Sequence, residues 1–216
     1  MSYLLRLVVP DRPGILGAVA TALGRAGIDI VSVDVLERGG GVAVDDIVVE
    51  LAEDRVVDGL ITAVTTVPGV AVESLRPFAG QLDTHRELAL LEALAGGGAG
   101  TPALLTAELP RVFHCGWAVV LDAHGEVVAG SDAAPAFAGV ALPWLPLEGP
   151  ALLPSEDDWV PGRWRDLAVE MMATPFGSAA TVVVGRSGGP AFRRSELLRL
   201  THLVGIASTV SQLPPT

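Results

Sequence analysis

Along residues 1–78 the apolar positions shift between a period of two and a period near 3.6, and each shift marks an element. Tyr3, Leu5, Leu7 and Val9 alternate as one face of a strand. Ile15, Val19, Leu23 and Ala26 then recur at helical spacing until Gly27 ends the run. Val31, Val33 and Val35 form one face of a second strand, Gly39-Gly40-Gly41 is a turn, and Ile47, Val49 and Leu51 form the third strand of a hairpin. Val57, Leu60, Ile61 and Val64 return to helical spacing before Pro68-Gly69, and a shorter strand covers residues 72–76. The order βαββαβ predicts a ferredoxin-like sandwich, with two helices on one face of an antiparallel sheet.

Residues 79–86 are polar and read as a linker, after which the rhythm changes. A helix is expected over 87–95, a flexible loop over 96–100 and a second helix over 102–112. Strands at 117–121 and 126–129 flank the turn Asp122-Ala123-His124-Gly125. The stretch from Pro143 to Trp164, rich in Pro and Trp, fits no single element. Residues 181–185 read as a buried strand, 185–189 as a hairpin turn and 195–210 as an amphipathic helix, with Pro214-Pro215 stopping the chain. The fold class expected is α+β: a ferredoxin-like domain over 1–78, then a second α/β domain with an antiparallel sheet over 87–212.

Half of the 216 residues are apolar, enough to build a core in each domain. The 14 basic residues are all arginine, no lysine or asparagine occurs, and 25 acids give a formal charge of −11. That bias is typical of a high-GC bacterial genome. It removes the lysine of a phosphate-binding loop and any Schiff-base lysine. Neither half is basic, so binding to a nucleic-acid backbone is not expected. No apolar run reaches the length of a membrane span and none reads as a secretory signal, so a cytoplasmic protein without membrane partners is expected. The one cysteine, Cys115, excludes an internal disulfide framework.

Most candidate chemistry reduces to structure. His85, His114, His124 and His202 never share a ligand spacing, and His114-Cys115 lacks further donors, so no metal and no cofactor are expected. Asp45-Asp46 would point to opposite faces of a strand and reads as a charge pair ending a loop. Glu156-Asp157-Asp158 reads as an exposed loop. Trp144, Trp159 and Trp164 either line an apolar pocket or pin a loop-rich segment to the core. No nucleophile–base pair or carboxylate–metal set emerges, so an enzyme is not expected. The turn Asp11-Arg12-Pro13-Gly14-Ile15-Leu16 is different. Pro13 suits the first turn of a helix, Gly14 leaves room for a ligand, and the amides of a helix start attract a carboxylate.

The same turn, with Gly27-Ile28-Asp29-Ile30 before the second strand and Val67-Pro68-Gly69-Val70 before the last, resembles the ACT family of small regulatory domains of amino-acid metabolism. The resemblance covers residues 1–78. It implies an amino acid bound near the first strand–helix turn, often across a subunit interface, by Asp11, Arg12, Pro13, Gly14, Ile15, Leu16 and Asp29. In that arrangement the amides of Gly14 to Leu16 hold the carboxylate and Asp29 accepts from the ammonium. Asp29 stands where many members carry asparagine. Arg12 either meets a ligand or a partner's acidic edge, or stays solvated.

Val182-Val183-Val184-Gly185-Arg186, Pro190-Ala191-Phe192 and the run from Ser195 to Leu200 resemble the GAF family of small-molecule and dimerisation modules, over roughly residues 84–212. Together the two resemblances imply a non-catalytic regulatory protein. It would bind an amino acid, form a homodimer through the ACT domain and signal through a regulated protein partner. The alternative is a structural or interaction module that binds no metabolite.

Overall fold

The computed structural model describes residues 1–52, 57–78, 86–95 and 100–211. The chain divides into two compact units, Met1–Leu82 and Asp83–Thr216.

The first unit runs β1 (Ser2–Pro10), α1 (Ile15–Arg25), β2 (Asp29–Gly39), β3 (Val42–Glu50), α2 (Val57–Thr65) and β4 (Ala71–Pro77). Its sheet has the order β2-β3-β1-β4, and every pairing is antiparallel. This is the ferredoxin-like sandwich that the periodicity predicts. Leu5, Leu7 and Val9 of β1 and Ile47 and Val49 of β3 pack with Ile15, Val19 and Leu23 of α1 and Leu60 and Val64 of α2. Burial of each such side chain stabilises by about 1.5–3 kcal/mol. Helix α1 ends in a Schellman arrangement: the Ile28 amide donates to the Leu23 carbonyl and the Gly27 amide to that of Gly24. Gly69 has φ +83°, and a Cβ there would lie 2.7 Å from Cγ of Pro10. The glycine of the Val67–Val70 motif therefore closes the turn into β4 against the end of β1.

Two details of the sheet bear on the site, and the second departs from the sequence reading. Val31, Val33 and Val35 lie on the edge strand and are exposed, Val33 and Val35 at 45% each, because α1 and α2 do not reach that edge. Asp45 and Asp46 do not end a loop. They sit in the middle of β3, which begins at Val42, and both are buried.

The second unit contains α3 (Arg86–Ala95), α4 (Thr101–Val112), β5 (Trp117–Asp122), β6 (Val127–Gly130), β7 (Ala151–Leu153), α5 (Gly162–Asp166), β8 (Glu170–Phe176), β9 (Ala180–Arg186) and α6 (Arg194–Ser211). Its five-stranded sheet has the order β6-β5-β9-β8-β7 and is antiparallel throughout. Leu90, Leu105, Leu109, Leu200 and Val204 of the helices pack on Ala118, Val120, Met172, Val182 and Val184. On the other side Trp117, Val119, Met171 and Val183 pack with Phe137, Val160 and Trp164. With both faces covered, β8 reads Met-Met-Ala-Thr-Pro rather than alternating, which hid it from the periodicity. The expected hairpin turn at 185–189 instead joins β9 to α6, so a strand–helix connection replaces the hairpin. Most of the expected linker (79–85) and of the glycine-rich loop (96–99), together with Pro214-Pro215, lies outside the described residues.

Candidate functional site

The turn after β1 is held from both sides. The Asp11 amide donates to the Gly41 carbonyl at 2.9 Å, and the Arg12 amide to that of Pro10 at 2.9 Å. Arg38 of β2 reaches across to Asp11, its Nη2 lying 2.6 Å from Oδ1. Asp11, Arg12, Pro13, Gly14 and Leu16 are all exposed, while Ile15 is buried and anchors the helix to the core.

The helix starts later than Pro13 suggested. Ile15 is its first residue, Gly14 is the N-cap, and Pro13 belongs to the preceding turn. Gly14 adopts φ +87°, a conformation that costs a residue with a Cβ about 1–2 kcal/mol, and nothing lies within 4 Å of where that Cβ would be. The glycine thus serves the turn's conformation and leaves open space beside it. No side chain caps the helix. The Ala18 amide reaches the Gly14 carbonyl at 3.0 Å, and that of Ile15 makes a long bond of 3.4 Å to Arg12. Among the described residues the amides of Gly14, Leu16 and Gly17 have no hydrogen-bond partner. Three donors at the positive end of a helix dipole remain available for an anion. The Ile15 amide is therefore engaged within the turn, whereas that of Gly17 is open.

Asp29 is exposed at the start of β2, where it pairs with Glu50. The turn lies at the opposite end, beyond the Pro10–Val42 pair. The nine-residue β3 separates these ends by roughly 26 Å, at about 3.3 Å per step. Within one chain the structure does not bring Asp29 to the turn.

The two aspartates of β3 face opposite sides of the sheet. Asp46 accepts two hydrogen bonds from Arg6, 2.7 Å from Nε and 2.8 Å from Nη2, in a pair whose arginine is 1% exposed. Asp45 pairs in register with Leu7 on one side and Val35 on the other, which places it on the helix-covered face. It is 1% exposed, and its Oδ1 is buried without a hydrogen-bond partner. Burial pushes its carboxyl above the usual range, with the Asp46 charge adding to the rise and Arg38 opposing it; Asp11 and Asp34 contribute smaller increases. The sequence reads Asp45 as half of a charge pair ending a loop, not as a buried acid. Its signal was a second acid in a strand whose neighbours Val44 and Ile47 are apolar.

The remaining candidates hold structural places. Burial pushes the Cys115 thiol up to about 12, so it stays protonated and unreactive at neutral pH. Among the described residues no group of three or more His, Cys, Asp or Glu side chains is placed to hold a metal ion. Trp164 is 2% exposed and packs edge-on against Phe137, with ring centroids 5.1 Å apart; Trp117 lies 6.4 Å from it. It fills core space, while Trp144 and Trp159 stack edge-to-face beside it in the same apolar cluster. Glu156, Asp157 and Asp158 are exposed, as expected. No helix among the described residues is long and apolar enough to cross a membrane.

Solved structures similar to the chain include the following three. A formyltetrahydrofolate deformylase from Pseudomonas putida KT2440 is 14% identical with a TM-score of 0.32; the match covers 42% of this chain and 36% of the deformylase. This chain thus spans about a third of that enzyme's length. An unknown protein from Galdieria sulphuraria is 13% identical with a TM-score of 0.34, over 98% of this chain and 91% of its own. A putative glycine cleavage system transcriptional repressor is 11% identical with a TM-score of 0.29, over 97% and 91%. No curated protein matches the sequence. The family model that does match is that of the ACT domain, over residues 3–69. That span takes in β1 to α2, the turn at Asp11–Leu16 and the Val67–Gly69 motif, and this part of the chain is an ACT domain.

Proposed function

We propose that the protein is a non-catalytic regulator that binds a small amino acid at the turn between β1 and α1. One observation carries the reading: within an ACT domain, three helix-start amides lack partners and face open space at Gly14. They would take the ligand carboxylate. Asp11 and Arg12 would border the site, with Pro13 shaping the turn and Leu16 offering an apolar contact.

Asp29 joins such a site only from a second copy. Two subunits pairing antiparallel along their β2 edges would bring Asp29 of the partner subunit beside the turn. The exposed Val31, Val33 and Val35, and an outer edge of β2 that no strand among the described residues pairs with, support that dimer. The second unit fits a GAF-like module whose aromatic interior is packed by its own side chains, which favours an interface or output role over ligand capture. Regulation would then pass to a partner protein once binding favours one arrangement of the dimer.

The same apolar edge also supports the second reading, a dimerisation module that binds no metabolite. Thermal melting of the full chain against each of the twenty amino acids separates the two. A rise in Tm with one or a few of them is expected; no shift with any at millimolar concentration leaves only the dimerisation role.

A further inference from the structure

Asp45 is 1% exposed, and its Oδ1 is buried without a hydrogen-bond partner. A carboxylate taken out of water without a hydrogen bond is costly, and folded proteins avoid it unless something else compensates. The neighbouring Asp46 shows how this strand satisfies a buried acid, through two hydrogen bonds from Arg6. Asp45 has only Leu7 and Val35 as its in-register neighbours. One row outward on the same face stand Val9, Ala43 and Arg38, and Arg38 is held by Asp11 of the turn. Arg38 bonds Asp11, and its charge acts on Asp45 only at a distance, so two carboxylates face one guanidinium near the uncapped start of α1. Arg38 is mostly exposed, so solvent screens its pairing with Asp11 and leaves that bond easy to open.

We propose that Asp45 is the acceptor for the ammonium group of the ligand bound at this turn. The inference rests on the amino-acid reading above and adds the second pole that reading lacks within one chain. The helix-start amides of Gly14, Leu16 and Gly17 take the carboxylate, the ammonium enters beside the Asp11–Arg38 pair, and Asp45 provides the buried charge that selects it. A carboxylic acid of the same skeleton without the amino group leaves Asp45 unpaired and binds more weakly.

The test uses the full chain, wild type and Asp45→Asn, titrated with the amino acid that raises the wild-type Tm and with its deaminated acid (propionate for alanine, 4-methylpentanoate for leucine). In the wild type the amino acid should bind about tenfold or more tighter than the acid, the scale of one hydrogen bond to a charged group. In Asp45→Asn that advantage should vanish through loss of amino-acid affinity, with affinity for the acid nearly unchanged. If the favoured ligand is lysine or arginine, retention of the advantage after α-deamination assigns Asp45 to the side-chain cation instead. The ligand-free Tm of Asp45→Asn, and of Asp45→Val as a second variant, should rise, because an unpaired buried charge is removed. Equal amino-acid affinity in wild type and variant overturns the role of Asp45 alone, as does a lowered Tm in both variants. A wild type that binds no amino acid overturns the underlying reading and Asp45 with it.

Discussion

Asp45 and Asp46 are adjacent residues of one type on one strand, and the sheet treats them in opposite ways. Asp46 lies on the face away from the helices, locked by Arg6 into a two-point ion pair. Asp45 lies on the helix-covered face, equally sheltered from water, with a carboxylate oxygen that nothing bonds. A strand turns successive side chains to opposite faces, so the two acids never compete for one partner. The contrast separates a charge that serves folding from one that folding alone does not explain. Uncompensated polar groups of this kind collect where a protein gives up stability for function.

That contrast can be broken from either side. The largest effect belongs to Asp46→Ala, which takes the two-point carboxylate partner from the buried Arg6 guanidinium and should cost about 3–5 kcal/mol in denaturant unfolding. Replacing both partners together, Arg6→Met with Asp46→Leu, should recover most of that loss; a double variant as unstable as the single one would show that the pair is not the reason. Gly14→Ala follows, at about 1–2 kcal/mol, because alanine must adopt the left-handed conformation although it meets no neighbour. A substitution that leaves stability unchanged would mean that the turn relaxes to a different helix start.

Asp45→Asn should act with the opposite sign, and its effect should depend on pH. The folded carboxyl titrates above its unfolded value. Between those two values the native state holds more protons, so wild-type stability falls as pH rises through the window and the whole penalty applies above it. The variant lacks this dependence. Its Tm should exceed that of wild type at neutral pH, with the gap closing as the buffer is taken down toward the ordinary carboxylate range. A gap that stays constant with pH, or is reversed, would remove the unpaired charge from the account.

Much of the first unit was legible because its strands are covered on one side by helices that follow a clean 3.6 rhythm. Leu5, Leu7 and Val9, then Ile15, Val19 and Leu23, each report a buried face directly. The second unit was less so. Met171-Met172-Ala173 is buried on both sides, giving no alternation, and the segment before it is fixed by Trp164 and Phe137 rather than by backbone rhythm. At the site, the motif located the turn but not its chemistry. Pro13 suggested the first turn of a helix that in fact begins at Ile15, and Asp29 lies at the far end of the same sheet. The alternation of a strand puts Asp45 and Asp46 on opposite faces but does not say which face the helices cover. Pairing register alone reveals Asp45 as a mid-strand acid beside Leu7.

The central claim is that an amino acid seats its carboxylate on the start of α1. Amide hydrogen exchange, with and without the amino acid that raises Tm, reads those donors one by one. The amides of Gly14, Leu16 and Gly17 should exchange freely in the ligand-free protein and become protected when the amino acid is added. Exchange at all three left unchanged, while protection appears elsewhere or nowhere, would contradict it.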